Sequence, residues 1–191
     1  AERAQKLSRA GSPALGVELQ ISEQGEILAR GNVIMEGYWD QPTATADAIR
    51  AVGDGPDVTE WFHTGDGGII DHENYWAISD RKKDVIISGG ENVSSIEVED
   101  AVFGHPEVNE VAVIGLPDEK WGELVMALVV KSPESTLTED ELIAYVKTKL
   151  AGYKCPKRIE FRSELARTAT GKLQKFKLRE PYWVGHTRQV N

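Results

Sequence analysis

The pattern of the chain changes at Asp80, and this limits it to two differently built parts. Before Asp80, short apolar/polar alternations are broken by glycine and proline, and no helix longer than two turns is expected. After it, helical and strand patterns alternate, so a domain boundary falls there, with residues 1–79 β-rich and residues 80–191 a compact α+β domain. The joint itself, DRKKDVIISGGENVSSIEVE, holds charges, a strand, a glycine pair and a helix start. Val85, Ile86 and Ile87 end in Gly89-Gly90, where the chain can turn with φ > 0 or admit a ligand to its backbone. Ser94 and Glu97 form a capping-box pattern, which predicts a helix carrying Ile96, Val98, Ala101 and Val102 to a core and stopping before Pro106. The plain alternative for the glycine pair is a surface turn between strand and helix.

Further along, GVELQIS and EILAR predict a hairpin around Gly25, Thr43 to Ile49 a short helix, and Tyr75 to Ile78 a strand pairing back on Ile69-Ile70. Val108 to Ile114 and Leu124 to Val130 read as strands joined by the polar loop GLPDEKWGE, the second apolar enough to be central. Thr138 and Glu141 cap a helix with Leu142, Ile143, Val146 and Leu150 on one face, closed by Gly152. Arg158 to Arg162 is a short strand, and TATGKLQKFKLRE a glycine turn followed by a brief basic helix.

Composition narrows the classes. A single cysteine, Cys155, excludes an internal disulfide framework, and no Cys/His spacing offers a metal site, so a reducing, cytoplasmic setting is expected. No apolar run can span a bilayer, and the start, AERAQKLSRAGSP, has no signal-peptide core; without an initiating Met it is expected to be a processed or truncated piece. The net charge of -9 is uneven, since Lys154 to Arg179 holds nine Lys/Arg against two acids while the rest is acidic. That balance argues against nucleic-acid binding over the whole surface and suggests local recognition of an anion, with a solvated basic face as the plain alternative.

Three separated groups are the chemical candidates. Asp66, in HTGD, is expected at a glycine-rich turn, where an ionised carboxylate could accept both hydroxyls of a ribose. Arg81 is a planar donor suited to ribose or phosphate oxygens. Lys172, after Thr168, Thr170 and Gly171, places an ammonium on a loop expected to be flexible, where it could stabilise charge developing on a phosphate. A turn residue, a surface ion pair and a solvated loop charge are the respective alternatives.

Taken together, GEILARGNVIMEGYW, WFHTGD, DRKKDVIISGGENVSSIEVE and ARTATGKLQKFKLR resemble the adenylate-forming superfamily, and within it the fatty acyl-CoA and related carboxylate-CoA ligases. The resemblance runs from about Ala10 to Arg179 with the motifs in the family's order. It implies ATP and CoA as substrates with Mg²⁺, whose ligands would lie outside this chain. By the same resemblance Asp66 binds the ribose hydroxyls, Arg81 assists, and Thr64 and Gly65 shape the loop presenting Asp66. Lys83 is the hinge of a mobile lid, Gly89, Gly90 and Glu91 line the pantetheine path of CoA, and Lys172 bridges carboxylate and α-phosphate during adenylation.

The family's upstream Ser/Thr/Gly-rich phosphate loop, aromatic-Thr-Glu segment and acyl pocket have no counterpart here. The resemblance therefore implies the last third of such an enzyme: the β-barrel-like end of the large domain followed by the lid, with the missing N-terminal portion as its partner. Peripheral membrane association is a further expectation. Two rivals stay open. One is an adenylation domain serving a carrier protein or another acceptor, and the other is a non-catalytic nucleotide- or CoA-binding module.

Overall fold

Alternating apolar residues and tight turns build the first of two sheets. The computed structural model describes residues 9–53 and 55–186; the expectation about the extreme N-terminus lies largely outside them. The chain divides into two units, Ala1–Lys82 and Lys83–Asn191. In the first, β1 (Val17–Ile21) and β2 (Glu26–Gly31) form an antiparallel hairpin closed at Gly25. Helix α1 (Pro42–Ala48), with proline in its first turn, leads into β3 (Ile49–Val52). The long β4 (Thr59–Ile70) pairs with β2, β3 and β5 (Trp76–Arg81), giving the order β1-β2-β4-β3 with β5 also on β4. The described strands do not close on themselves, so the barrel-like part is an open sheet. Ile27, Leu28, Ala29, Trp61 and Trp76 are its buried apolar residues.

The second unit is layered around β9 (Gly122–Lys131), which is almost continuously apolar because both its faces and both its edges are covered. One edge takes β8 (Val108–Asp118) along its length; the other is shared by β10 (Arg158–Phe161), parallel, and by β6 (Ile86–Ser88), which pairs with β7 (Glu91–Val93). Val125, Ala127 and Val129 face helices α2 (Ser95–Phe103) and α3 (Glu139–Lys147) through Val98, Val102, Leu142 and Val146. Met126 and Leu128 face the opposite way, onto Leu165 and onto Leu178, the latter in helix α4 (Lys175–Arg179). Truncating such a side chain to alanine costs about 2–5 kcal/mol.

The α+β class holds, with differences in detail. The β8–β9 strands run on to Asp118 and from Gly122, so most of GLPDEKWGE is strand and only three residues turn, because Asp118 Oδ1 takes the N–H groups of Lys120 and Trp121. The capping box at Thr138–Glu141 is complete, but α3 ends at Lys147 with Thr148 as its cap, short of Leu150 and Gly152. Ser94 caps α2 by accepting the Glu97 N–H at 3.3 Å, while the Glu97 carboxylate holds Lys154 at 2.7 Å. Ile96, expected in the core, is 38% exposed.

Candidate functional site

Asp66 does not sit in a turn but inside β4, at a bulge. Between Glu26↔Gly67 and Leu28↔His63, β2 advances two residues while β4 advances four, so extra backbone is thrown out around Thr64 to Asp66. Gly65 provides the φ of +74° that the bulge needs. Thr64 ties the bulge down: its hydroxyl donates to the Ile27 carbonyl at 2.7 Å and accepts the Asp66 N–H at 3.1 Å. Asp66 lies opposite Arg81 in the β4–β5 register, with Arg81 Nε 3.1 Å from Asp66 Oδ1. Oδ2 has no protein partner among the described residues, and the carboxylate keeps acceptor capacity for a ligand. Thr64, Gly65, Asp66 and Arg81 are thus brought together.

Beneath the bulge lies a residue the sequence did not single out. Glu26 is 4% exposed, and its carboxylate accepts the Gly65 N–H at 2.9 Å and meets His63 Nδ1 at 3.0 Å, with Lys82 Nζ at 3.5 Å and Arg50 at 3.9 Å. Because an ionised carboxylate only accepts, His63 Nδ1 carries the proton. Burial alone would raise the Glu26 pKa; the His63 hydrogen bond, the Gly65 N–H and the Lys82 charge outweigh it, and the carboxyl is held below its ordinary value. Its signal was present in the sequence: a lone acid just after the Gly25 turn, opening a strand otherwise buried.

In the second unit, Gly89 and Gly90 are the two turn residues of the β6–β7 hairpin, with φ of +63° and +85° and Ser88 paired with Glu91. The pair therefore turns the chain with φ > 0 inside a hairpin and not between a strand and a helix, and β7, three residues long, is too short to leave an alternating pattern in the sequence. Trp121 covers Gly89: a Cβ there would fall 2.8 Å from the indole, and the Gly89 N–H donates to the Trp121 carbonyl at 2.8 Å. Gly90 faces open space, and Glu91 is exposed.

Lys172 stands on a turn more fixed than a flexible loop. The Thr168 N–H donates to the Lys172 carbonyl at 2.8 Å, the Gly171 N–H to Thr168 at 2.9 Å, and the Lys172 N–H to Thr168 Oγ1 at 3.0 Å. Arg167 also clamps the Gly171 carbonyl at 2.8 Å and pairs with Glu110 at 2.6 Å. The Lys172 side chain is exposed, and its ammonium has no ion-pair partner among the described residues. Lys83 opens the second unit, within the 3-10 turn Lys82–Asp84.

The basic segment is less of an anion patch than its composition suggests. Lys154, Arg162, Arg167, Lys175 and Arg179 are paired with Glu97, Glu160, Glu110, Glu99 and Asp84, so five of its nine cations are tethers inside the unit. Glu160 is held below its ordinary pKa chiefly by the Tyr182 hydroxyl, with burial opposing and Arg162 assisting. Among the described residues there is no group of three or more His, Cys, Asp or Glu that could hold a metal ion, and no helix is long and apolar enough to cross a membrane.

Known proteins resemble this chain in sequence and fold. Residues 97–172 match the AMP-binding enzyme C-terminal domain. The chain is 41% identical to a feruloyl-CoA synthase of Amycolatopsis sp over 189 residues, covering 94% of this chain and 37% of that protein. It is 46% identical to a long-chain-fatty-acid–CoA ligase of Mycobacterium tuberculosis over 159 residues, covering 83% of this chain and 30% of the ligase. Among solved structures, ATP-bound MatB from Rhodopseudomonas palustris superposes with a TM-score of 0.83 at 34% identity, over 94% of this chain and 37% of that one. The chain thus spans about a third of the length of the relatives it matches. Through residues 97–172 this chain thus carries the AMP-binding enzyme C-terminal domain, and the proteins that it resembles over most of its length include CoA ligases and synthases.

Proposed function

We propose that the whole protein is an AMP-forming carboxylate–CoA ligase, of which this chain is the C-terminal part and a further N-terminal portion holds most of the ATP and acid sites. The substrate carboxylate attacks the α-phosphorus of ATP and expels pyrophosphate. The CoA sulfur then attacks the acyl carbon, AMP leaves and the thiol proton is released. Asp66, with its unengaged oxygen, takes the ribose hydroxyls and Arg81 assists, both held by the Thr64–Gly65 bulge.

Lys172 stabilises the charge developing at the α-phosphate. Residues 83–191 act as a mobile lid pivoting at Lys83, and Gly89, Gly90 and Glu91 line the path of the CoA arm in the thioester-forming state. Mg²⁺ enters as the ion carried by the nucleotide phosphates, and no residue of this chain is assigned to it. A cytoplasmic setting belongs to this reading and rests on a single cysteine, buried and with its thiol pKa raised by burial.

The observation that carries the reading is Lys172: in a segment where most cations are neutralised by acids, this ammonium is left on a closed, exposed turn. The test is acid-dependent ATP–pyrophosphate exchange by the full-length protein across a panel of carboxylic acids, followed by thioester formation with CoA. Exchange with release to a carrier protein or an amine, and not to CoA, would move the protein to another branch of the superfamily. Tight binding of CoA and AMP with no exchange for any acid would replace the enzyme by a binding module.

A further inference from the structure

Helix α4 is fixed at both ends. At its first residue, Lys175 Nζ lies 2.6 Å from Ser95 Oγ and 2.7 Å from Glu99 Oε1, and Glu99 Oε1 also accepts the Val113 N–H at 2.7 Å. At its last residue, Arg179 Nη1 donates to the Lys83 carbonyl at 3.2 Å and pairs with Asp84 Oδ1 at 3.3 Å. Both side chains of that pair are largely buried, at 14% and 13% exposure, and the neighbouring Leu178 is buried against the sheet.

The atom that Arg179 grips decides what this contact does. The Lys83 oxygen is part of the planar peptide unit that joins Lys83 to Asp84. A plane held at its oxygen, and again through the next carboxylate, must travel with the unit that contains α4. Any rotation of the chain is then taken up before that plane. Upstream, Arg81 is still in the β5 ladder opposite Asp66. The backbone left to turn is that of Lys82 and Lys83.

We propose that Arg179 and Asp84 are positioning residues that end the hinge at the Lys83–Asp84 peptide and so confine lid reorientation to Lys82 and Lys83; this rests on the pivot role given to Lys83 above. The same helix begins just after the Lys172 turn, which is closed by the Arg167–Leu173 bridge and by the Gln174 N–H on the Ala166 carbonyl at 2.9 Å. Pivot and catalytic lysine are therefore the two ends of one short strut, and a given hinge angle puts Lys172 in a given place. Without the clamp, Asp84 joins the hinge, and one more mobile residue dilutes each productive lid orientation by about 5- to 30-fold.

The experiment uses the full-length enzyme with one distance label in each unit, measured with ATP and acid and again with a stable adenylate analogue and CoA. The wild type should give two narrow distance distributions. Arg179→Ala should broaden both and slow both half-reactions by about 5- to 30-fold; its melting temperature should fall, because Asp84 loses its buried partner, but the broadening and the rate loss should persist far below the unfolding transition. Arg179→Lys, which keeps the charge but loses the planar fork, should recover part of the width and rate. Asp84→Asn, read out in the same way, should broaden both distributions less than Arg179→Ala and serves if the alanine variant does not fold. Two wild-type distances that stay narrow in these variants, or rate losses that only follow a lowered melting temperature, would overturn the clamp. A single wild-type distance in both states would instead remove the hinge reading on which it rests.

Discussion

Arg81 faces Asp66 across the β4–β5 ladder and engages only one of its carboxylate oxygens, at 3.1 Å. The pair is set by backbone register, so the free oxygen has a defined direction before any ligand arrives. Asp66→Asn keeps the shape and the bulge but removes a charged acceptor worth about 1.5–3 kcal/mol. AMP affinity of the full-length enzyme should fall about 10- to 100-fold with little change in melting temperature; calorimetry showing unchanged affinity takes Asp66 out of the ribose site.

Lys172→Ala should lower the adenylation rate by about 10²–10³ while sparing reaction of a supplied acyl-adenylate with CoA. Measuring pyrophosphate exchange and thioester formation separately decides the matter. Equal losses in both would assign Lys172 to the architecture of its turn.

Glu26 gives a pH test. Its pKa is lower in the folded protein than in the unfolded chain, so its contribution is present above the ordinary carboxylate value, about pH 4.3, and is lost as pH falls through the depressed value. Glu26→Gln leaves the Gly65 N–H, His63 and Lys82 without their anion and should cost about 1–3 kcal/mol near neutrality. The deficit should shrink below about pH 4, where the wild type loses the same charge. Urea unfolding from pH 3 to 7 measures this, and a deficit independent of pH would mean that the carboxylate's charge is not what supports the bulge.

At the β6–β7 turn, Gly89→Ala and Gly90→Ala should separate. Both force alanine into left-handed backbone at about 1–2 kcal/mol, but only the first also drives a Cβ to 2.8 Å from Trp121. Gly89→Ala should therefore be the more destabilising and should perturb Trp121 fluorescence, whereas Gly90→Ala should leave the emission as it is. Equal destabilisation with unaltered emission in both would show that the indole does not constrain the turn.

The elements with strong periodicity or explicit caps were legible in the sequence: the β1–β2 hairpin, the central β9, and α2 and α3 at their N-termini. The C-terminal end of α3 was not, since Leu150 continues its apolar period beyond the point where the helix stops at Lys147, whereas α2 stops at Phe103, before Pro106, as expected. Asp66 and Lys172 stood out as charged types beside glycines, and Arg81 as a planar donor opening the charged joint. What supports them did not, because Glu26 reaches Gly65 and Arg179 reaches Lys83 only through tertiary contacts between residues far apart in the chain. A bulge leaves a similarly faint trace, since one extra pair of residues in a strand looks in sequence like a glycine turn.

The closed turn beneath Lys172 also bears on timing. Its five residues are ordered by their own hydrogen bonds, from Thr168 to Lys172 and back, so the backbone that carries the ammonium needs no disorder-to-order step when the side chain meets a phosphate. In the proposed enzyme its local concentration at the α-phosphate is then a property of lid arrival, a motion of microseconds to milliseconds. Solvent viscosity should therefore slow adenylation through the movement of a whole domain, while crosslinks across the turn itself should leave the rate as it is.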